Sequence, residues 1–211
     1  MDRARLRRFT GASGIAVFLL GMLVLPLYFV YDGPPPVANV LSRILLNMLA
    51  CTGLVVFLVG FRQLIREARP DYEWLATLGF TAGLVFVTLT FVADSLQVGA
   101  VLGTGGELDP TMIGGRGEGS ILIFGPMARL LTALFLITAA SAILGTRLLP
   151  AWTARIAQAV AVFHLAMVPS LFSGTLPARF YSINGWNIPV AGGLFVTWLL
   201  AASVALLRQR G

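Results

Sequence analysis

The chain has 211 residues, of which 57% are hydrophobic and only 11% charged, with a net charge of +6. A mean hydropathy of +0.87 excludes an ordinary water-soluble domain, in which about a quarter of residues are charged. All 15 basic residues are arginines, so lysine Schiff-base chemistry, including attachment of a retinal-type chromophore, is excluded.

Six apolar runs follow one another at about 11–31, 37–61, 74–102, 120–146, 151–173 and 187–207. Each is near or above the roughly 20 residues that cross a hydrocarbon core. The sequence therefore predicts an all-α fold: a single transmembrane domain over residues 1–211, built as a polytopic six-span helix bundle. The first run follows Arg3, Arg5, Arg7 and Arg8 and superficially looks like a secretory signal. It is too long for a typical signal core and no small-x-small cleavage pattern lies beyond it, so a retained first span is expected. Asp32-Gly33-Pro34-Pro35-Pro36 forms a stiff turn, because consecutive prolines cannot continue a helix, and it predicts an antiparallel hairpin of spans one and two.

Further along, Gly79 and Gly83 in span three have the small-xxx-small spacing of closely packed membrane helices, either within the bundle or across a dimer interface. Pro126 in span four and Pro169 in span five are expected to kink their helices and open space near the outer ends. The lone Cys51 sits within span two, which rules out an intramolecular disulfide and a zinc site of cysteine type.

The arginines set the orientation. With the N-terminus inside, Arg3, Arg5, Arg7, Arg8, Arg62, Arg66, Arg69, Arg147, Arg155, Arg208 and Arg210 face the cytoplasm, and only Arg116 and Arg179 fall in outer loops. Eleven against two predicts both ends inside a bacterial cytoplasmic membrane. Arginines placed at helix ends are topology determinants rather than a groove-facing patch, so no nucleic-acid partner is expected. The outer loops, 103–120 and 174–189, are longer than the inner ones. Gly114-Gly115-Arg116-Gly117 in the first of them follows no strand and carries no P-loop lysine, so it reads as a turn-rich loop rather than a phosphate cradle. Phe180, Tyr181 and Trp186 in the second either cap a pocket or form an aromatic belt at the interface, the belt being the simpler reading.

Four ionisable residues fall inside the predicted spans: Arg43, Asp94, Arg129 and His164. Each is costly in hydrocarbon and needs a partner or a wet cavity. At ~1.5 Å rise per residue, all four lie roughly 9 to 14 Å below the outer edge. They are expected to converge in an outer-half cluster centred on Asp94, with Arg43 and Arg129 as its cationic neighbours, and with His164 and Asn47, one turn below Arg43, completing the hydrogen bonding. One reading is a ligand site: two arginines and one aspartate leave surplus positive charge for an anionic head group, a carboxylate or a quinone-like carbonyl of a small or lipid-like molecule, in sensing, binding or transport. The other is an interhelical clamp in a structural or partner-binding subunit.

A third class, an intramembrane enzyme acting on an isoprenoid or quinone-like substrate, would draw on Glu118, Asp94, Tyr181 and His164. No HExxH, GxSxG or aspartate-rich metal motif accompanies them. His164 with Asp94 is too small a ligand set for a metal, and haem held by two histidines is impossible with one histidine, so no metal or other cofactor is expected. No inverted repeat of the kind many secondary transporters use is evident. The expected partners are membrane lipids, a small-molecule or lipid-like ligand, and a second copy or partner subunit.

Two segments carry a family resemblance: Arg8-Phe9-Thr10-Gly11 entering span one, and Thr146-Arg147-Leu148-Leu149-Pro150-Ala151-Trp152 between spans four and five. They resemble a family of bacterial integral-membrane proteins, about 200–230 residues with six spans, grouped as a domain of unknown function. In these proteins the second segment is a basic-then-proline turn that ends one helix and opens the next, and Pro150 has that role here. The resemblance implies the fold and no activity.

Overall fold

The computed structural model describes residues 2–31, 35–103, 119–176 and 179–209. The Asp32-Gly33-Pro34 part of the first turn, the stretch 104–118 with Gly114-Gly115-Arg116-Gly117 and Glu118, and Arg210 lie outside the described residues.

Among the described residues there is no strand, and six helices are long and apolar enough to cross a membrane. They are α1 (Arg3–Leu27), α2 (Val37–Ala68), α3 (Glu73–Gly103), α4 (Gly119–Thr146), α5 (Ala151–Phe172) and α6 (Asn187–Arg208). Helix is the solution that satisfies every backbone polar group within one segment where water is absent. Contacts run α1–α2, α2–α3, α3–α4, α4–α5, α5–α6 and α6–α1, so the antiparallel helices close into a ring in chain order. One end of the ring carries the N-terminus and most arginines; we call it the basic end and the opposite one the far end.

The centre is filled by rings meeting edge to face: Phe86 with Phe195 (6.2 Å between centroids), Phe135 with Phe195 (6.1 Å) and Phe135 with Trp198 (5.6 Å). Trp198 is fully buried, and its indole N–H donates to Thr153 O at 3.0 Å across the α5–α6 seam. The outward surface is equally apolar, with Leu19, Leu23, Leu45, Val59, Leu130 and Val162 exposed along the helices. An apolar shell of that extent is incompatible with water and matches lipid. Exposed Trp74 and Trp152 at the basic end, and Phe180 and Trp186 at the far end, stand where interfacial aromatics belong.

Several glycines serve close helix approach. Gly60 leaves room only for the Thr10 side chain, and Gly14 meets Ser203 and Phe57, so α1 lies tight against both α2 and α6. Gly79 faces Thr138 and Phe135 of α4, and Gly83 faces Leu58 of α2. The small-xxx-small pair is thus used inside the bundle.

Several expected boundaries move. Helix α1 starts at Arg3 rather than residue 11 and ends at Leu27, with Pro26 in its last turn. Helix α2 runs on to Ala68, past the expected 61, because the extension is amphipathic. Leu64 and Ile65 are buried while Gln63 bonds Glu67 on the open face at 2.8 Å, so apolar length alone underestimates the helix. Arg62 and Arg66 reach Glu73 of α3 at 3.2 and 3.7 Å, and Arg69 donates to Gly145 O at 3.1 Å, tying the basic-end turns together.

Both intraspan prolines disturb their helices. Ile123–Met127 winds as a π turn with Gly125 at φ −88°, ψ −110°, since Pro126 lacks an N–H and its ring clashes with the preceding turn. Pro169 sits in a closing 3-10 segment, Val168–Phe172. The space near these distortions is filled rather than opened: Gly125 lies against Ile183, and Ser170 is buried.

Candidate functional site

The four intraspan ionisable residues do lie in the far half of the bundle, but they form two groups on different seams. The single cluster around Asp94 is corrected in that respect.

The first group belongs to α1, α2 and α3. Asn39, Arg43 and Asn47 are spaced at i, i+4 and i+8, which lines them along one face of α2. Asn39 Nδ2 donates to Leu27 O at 3.2 Å and staples the first hairpin, while its Oδ1 is buried without a partner among the described residues. Asn47 Nδ2 donates to Asp94 Oδ2 at 2.8 Å, the bond that joins α2 to α3. Arg43, only 5% exposed, stacks its guanidinium 4.2 Å from the centroid of the Tyr28 ring, a cation–π contact. Among the described residues Arg43 makes no hydrogen bond and no ion pair, although a guanidinium carries five donors. Asp94 is 3% exposed and forms no ion pair among the described residues. One turn further along α3, buried Gln97 reaches Ser120 of α4 at 3.4 Å. Tyr28 is 46% exposed and covers Arg43 from the lipid side.

The second group belongs to α4, α5, α6 and the loop between the last two. Arg129 is 1% exposed. It donates to Met167 O at 2.9 Å, to Ser170 Oγ at 2.8 Å and to Asn187 Oδ1. Asn187 in turn donates to Phe180 O and, at 2.8 Å, to Ser182 O, and the Ser182 hydroxyl bonds Leu176 O at 2.7 Å. Met167 lies at the carbonyl-rich end of the regular part of α5, where the helix dipole favours a cation. That end and the neutral acceptors hold the charge, so Asp94 is not its counter-ion.

His164 lies nearby on α5, within electrostatic reach of Arg129. Its Nε2 is 3.2 Å from Ala191 O of α6 and its Nδ1 is buried without a partner among the described residues. It therefore does not complete the hydrogen bonding of Asp94. Tyr181 donates to Ala166 O at 3.0 Å and belongs with the second group, so the candidate acids and bases Asp94, His164 and Tyr181 are not gathered at one place. Phe180 and Trp186 are exposed, and Trp186 stacks on Phe29 at 4.9 Å.

Two shallow apolar crevices occur, one lined by Phe61, Phe80 and Thr138 and the other by Leu54, Phe86 and Phe195. Neither touches any of the polar residues above.

The sequence reading missed Tyr28, Asn39, Ser170 and Asn187 as members of these groups. The Asn39-Arg43-Asn47 spacing was visible as a helical polar stripe, but nothing local marks Ser170 or Asn187 as partners of Arg129. Fold and polar interior together define a polytopic α-helical membrane protein. No family model, curated protein or solved structure matches the chain.

Proposed function

We propose that the protein is a binding or transport protein of the bacterial cytoplasmic membrane, both ends inside, that takes the polar end of a small or lipid-like ligand in its outer half. The site is the α1–α2–α3 seam, with Arg43 as the ligand contact and Asn47 and Asp94 beside it. The observation that carries the reading is the Arg43 guanidinium, buried in the far half with its donors unused among the described residues. A cation at that depth costs a few kcal/mol, about 2.5–3.5 on insertion scales, and a fold that only needed a clamp would bond its terminal nitrogens as it bonds those of Arg129, whose Nε alone is buried without a partner among the described residues. The half-exposed Tyr28 ring is the cover that a ligand arriving through the lipid would displace. The basic-end arginines support the orientation, and the two resembling segments support membership in the bacterial integral-membrane family.

Mass spectrometry of molecules co-purifying in mild detergent tests this, comparing wild type with Arg43→Gln. A compound retained by the wild type and lost from the folded variant is expected. Identical bulk lipid in both would refute the site.

The Arg129 network favours a second reading for the other half of the bundle. Its acceptors are all protein groups on α5 and α6, so there Arg129 is a clamp, as in a structural or partner-binding subunit, and His164 packs beside it.

A further inference from the structure

The ligand chemistry follows from the separation of the two polar groups. Had Arg43 and Arg129 both flanked Asp94, the surplus positive charge would select an anion. With Arg129 bonded to α5 and α6, the first group holds one cation, Arg43, and one carboxylate, Asp94, among the described residues, so its formal charge is balanced.

Resting on the reading of this seam as a ligand site, we infer that it selects a zwitterionic head group, one that pairs a phosphate with a primary ammonium, over a net anionic one. Arg43 offers unused donors to the phosphate. Asp94 has one oxygen engaged by Asn47 and offers the other to the ammonium. Arg43 and Asn47 are four residues apart, ~6 Å along the axis, which sets the spacing between the acceptor and donor ends of the ligand.

The chemistry also distinguishes ammonium types. A primary ammonium donates hydrogen bonds to Asp94, whereas a quaternary one cannot. A net anionic head group with a hydroxyl tail satisfies Arg43 but leaves the charge of Asp94 uncompensated.

The test uses the full chain in mild detergent with short-chain phosphatidylethanolamine, phosphatidylcholine and phosphatidylglycerol of matched acyl length, binding being read by native mass spectrometry and thermal shift. The wild type should prefer the ethanolamine lipid over both others by about fivefold or more, a difference of about 1 kcal/mol. In Asp94→Asn the preference over phosphatidylglycerol should fall below about twofold, while Asp94→Glu restores it; the wild-type comparison alone decides the matter if the Asn variant does not fold. Arg43→Gln should lose all three. Free glycerophosphoethanolamine is the competitor: displacement of the lipid assigns the same chemistry to a soluble source, and no displacement assigns it to the lipid. Phosphatidylglycerol bound as well as or better than phosphatidylethanolamine, with loss in Arg43→Gln, overturns the zwitterion inference and leaves the ligand site standing. Equal binding of every lipid by wild type and Arg43→Gln overturns both.

Discussion

Replacing Arg129 by methionine removes a guanidinium that is 1% exposed and bonded to Met167 O, Ser170 Oγ and Asn187 Oδ1. Hydrogen bonds to a charged group are each worth about 1.5–3 kcal/mol. Against their loss stands the relief of inserting a cation, about 2.5–3.5 kcal/mol. The balance is a destabilisation of about 1–6 kcal/mol, with methionine filling most of the vacated volume. Thermal or denaturant-driven unfolding in bicelles reads this directly. The sharper measurement is a cycle with Asn187→Ala. If Arg129 and Asn187 act as one clamp between α4 and α6, their coupling should be about 1–2 kcal/mol, towards the upper end for interhelical bonds in membranes because one partner is charged. Strict additivity, within about 0.5 kcal/mol, would refute the clamp.

Other substitutions probe the rest of the bundle. Gly60→Val forces a side chain into Thr10 across the α1–α2 seam and should destabilise by about 2 kcal/mol or more through overpacking, read by the same unfolding assay. Trp198→Phe removes the bond to Thr153 O while keeping an aromatic ring, so a loss of about 1–2 kcal/mol is expected, from the lost bond and the lost area. Glu73→Gln, by contrast, should change stability by less than about 1 kcal/mol, because the side chains of Arg62, Arg66 and Glu73 are all more than a third exposed. In a Cys51→Ser background, cysteines placed at Arg8 and at Leu176 should react from opposite sides of intact cells with a membrane-impermeant thiol reagent; labelling of Arg8→Cys from outside would overturn the orientation.

The six-span class was legible because apolar length and arginine asymmetry are local properties of the chain. A run of residues is apolar enough to cross lipid wherever it stands in the fold, and 57% hydrophobic content leaves no other solvent. Depth was legible too, since rise per residue converts position along a helix into height, and Arg43, Asp94, Arg129 and His164 do lie in the far half. Angular position was not. Which face of a helix turns to which neighbour depends on the order of helices around the ring and on contacts such as Gly60 with Thr10 and Gly83 with Leu58, each between residues distant in sequence. Equal depth therefore suggested one cluster, and packing divided it. Asp94 went to Asn47 on α2, whereas Arg129 went to Asn187 and Ser170 across α5 and α6. The sequence by itself determined the solvent, the number of spans and the height of the buried charges. Only tertiary packing decided which charges share a seam, because depth is set along a single helix while direction is set between helices.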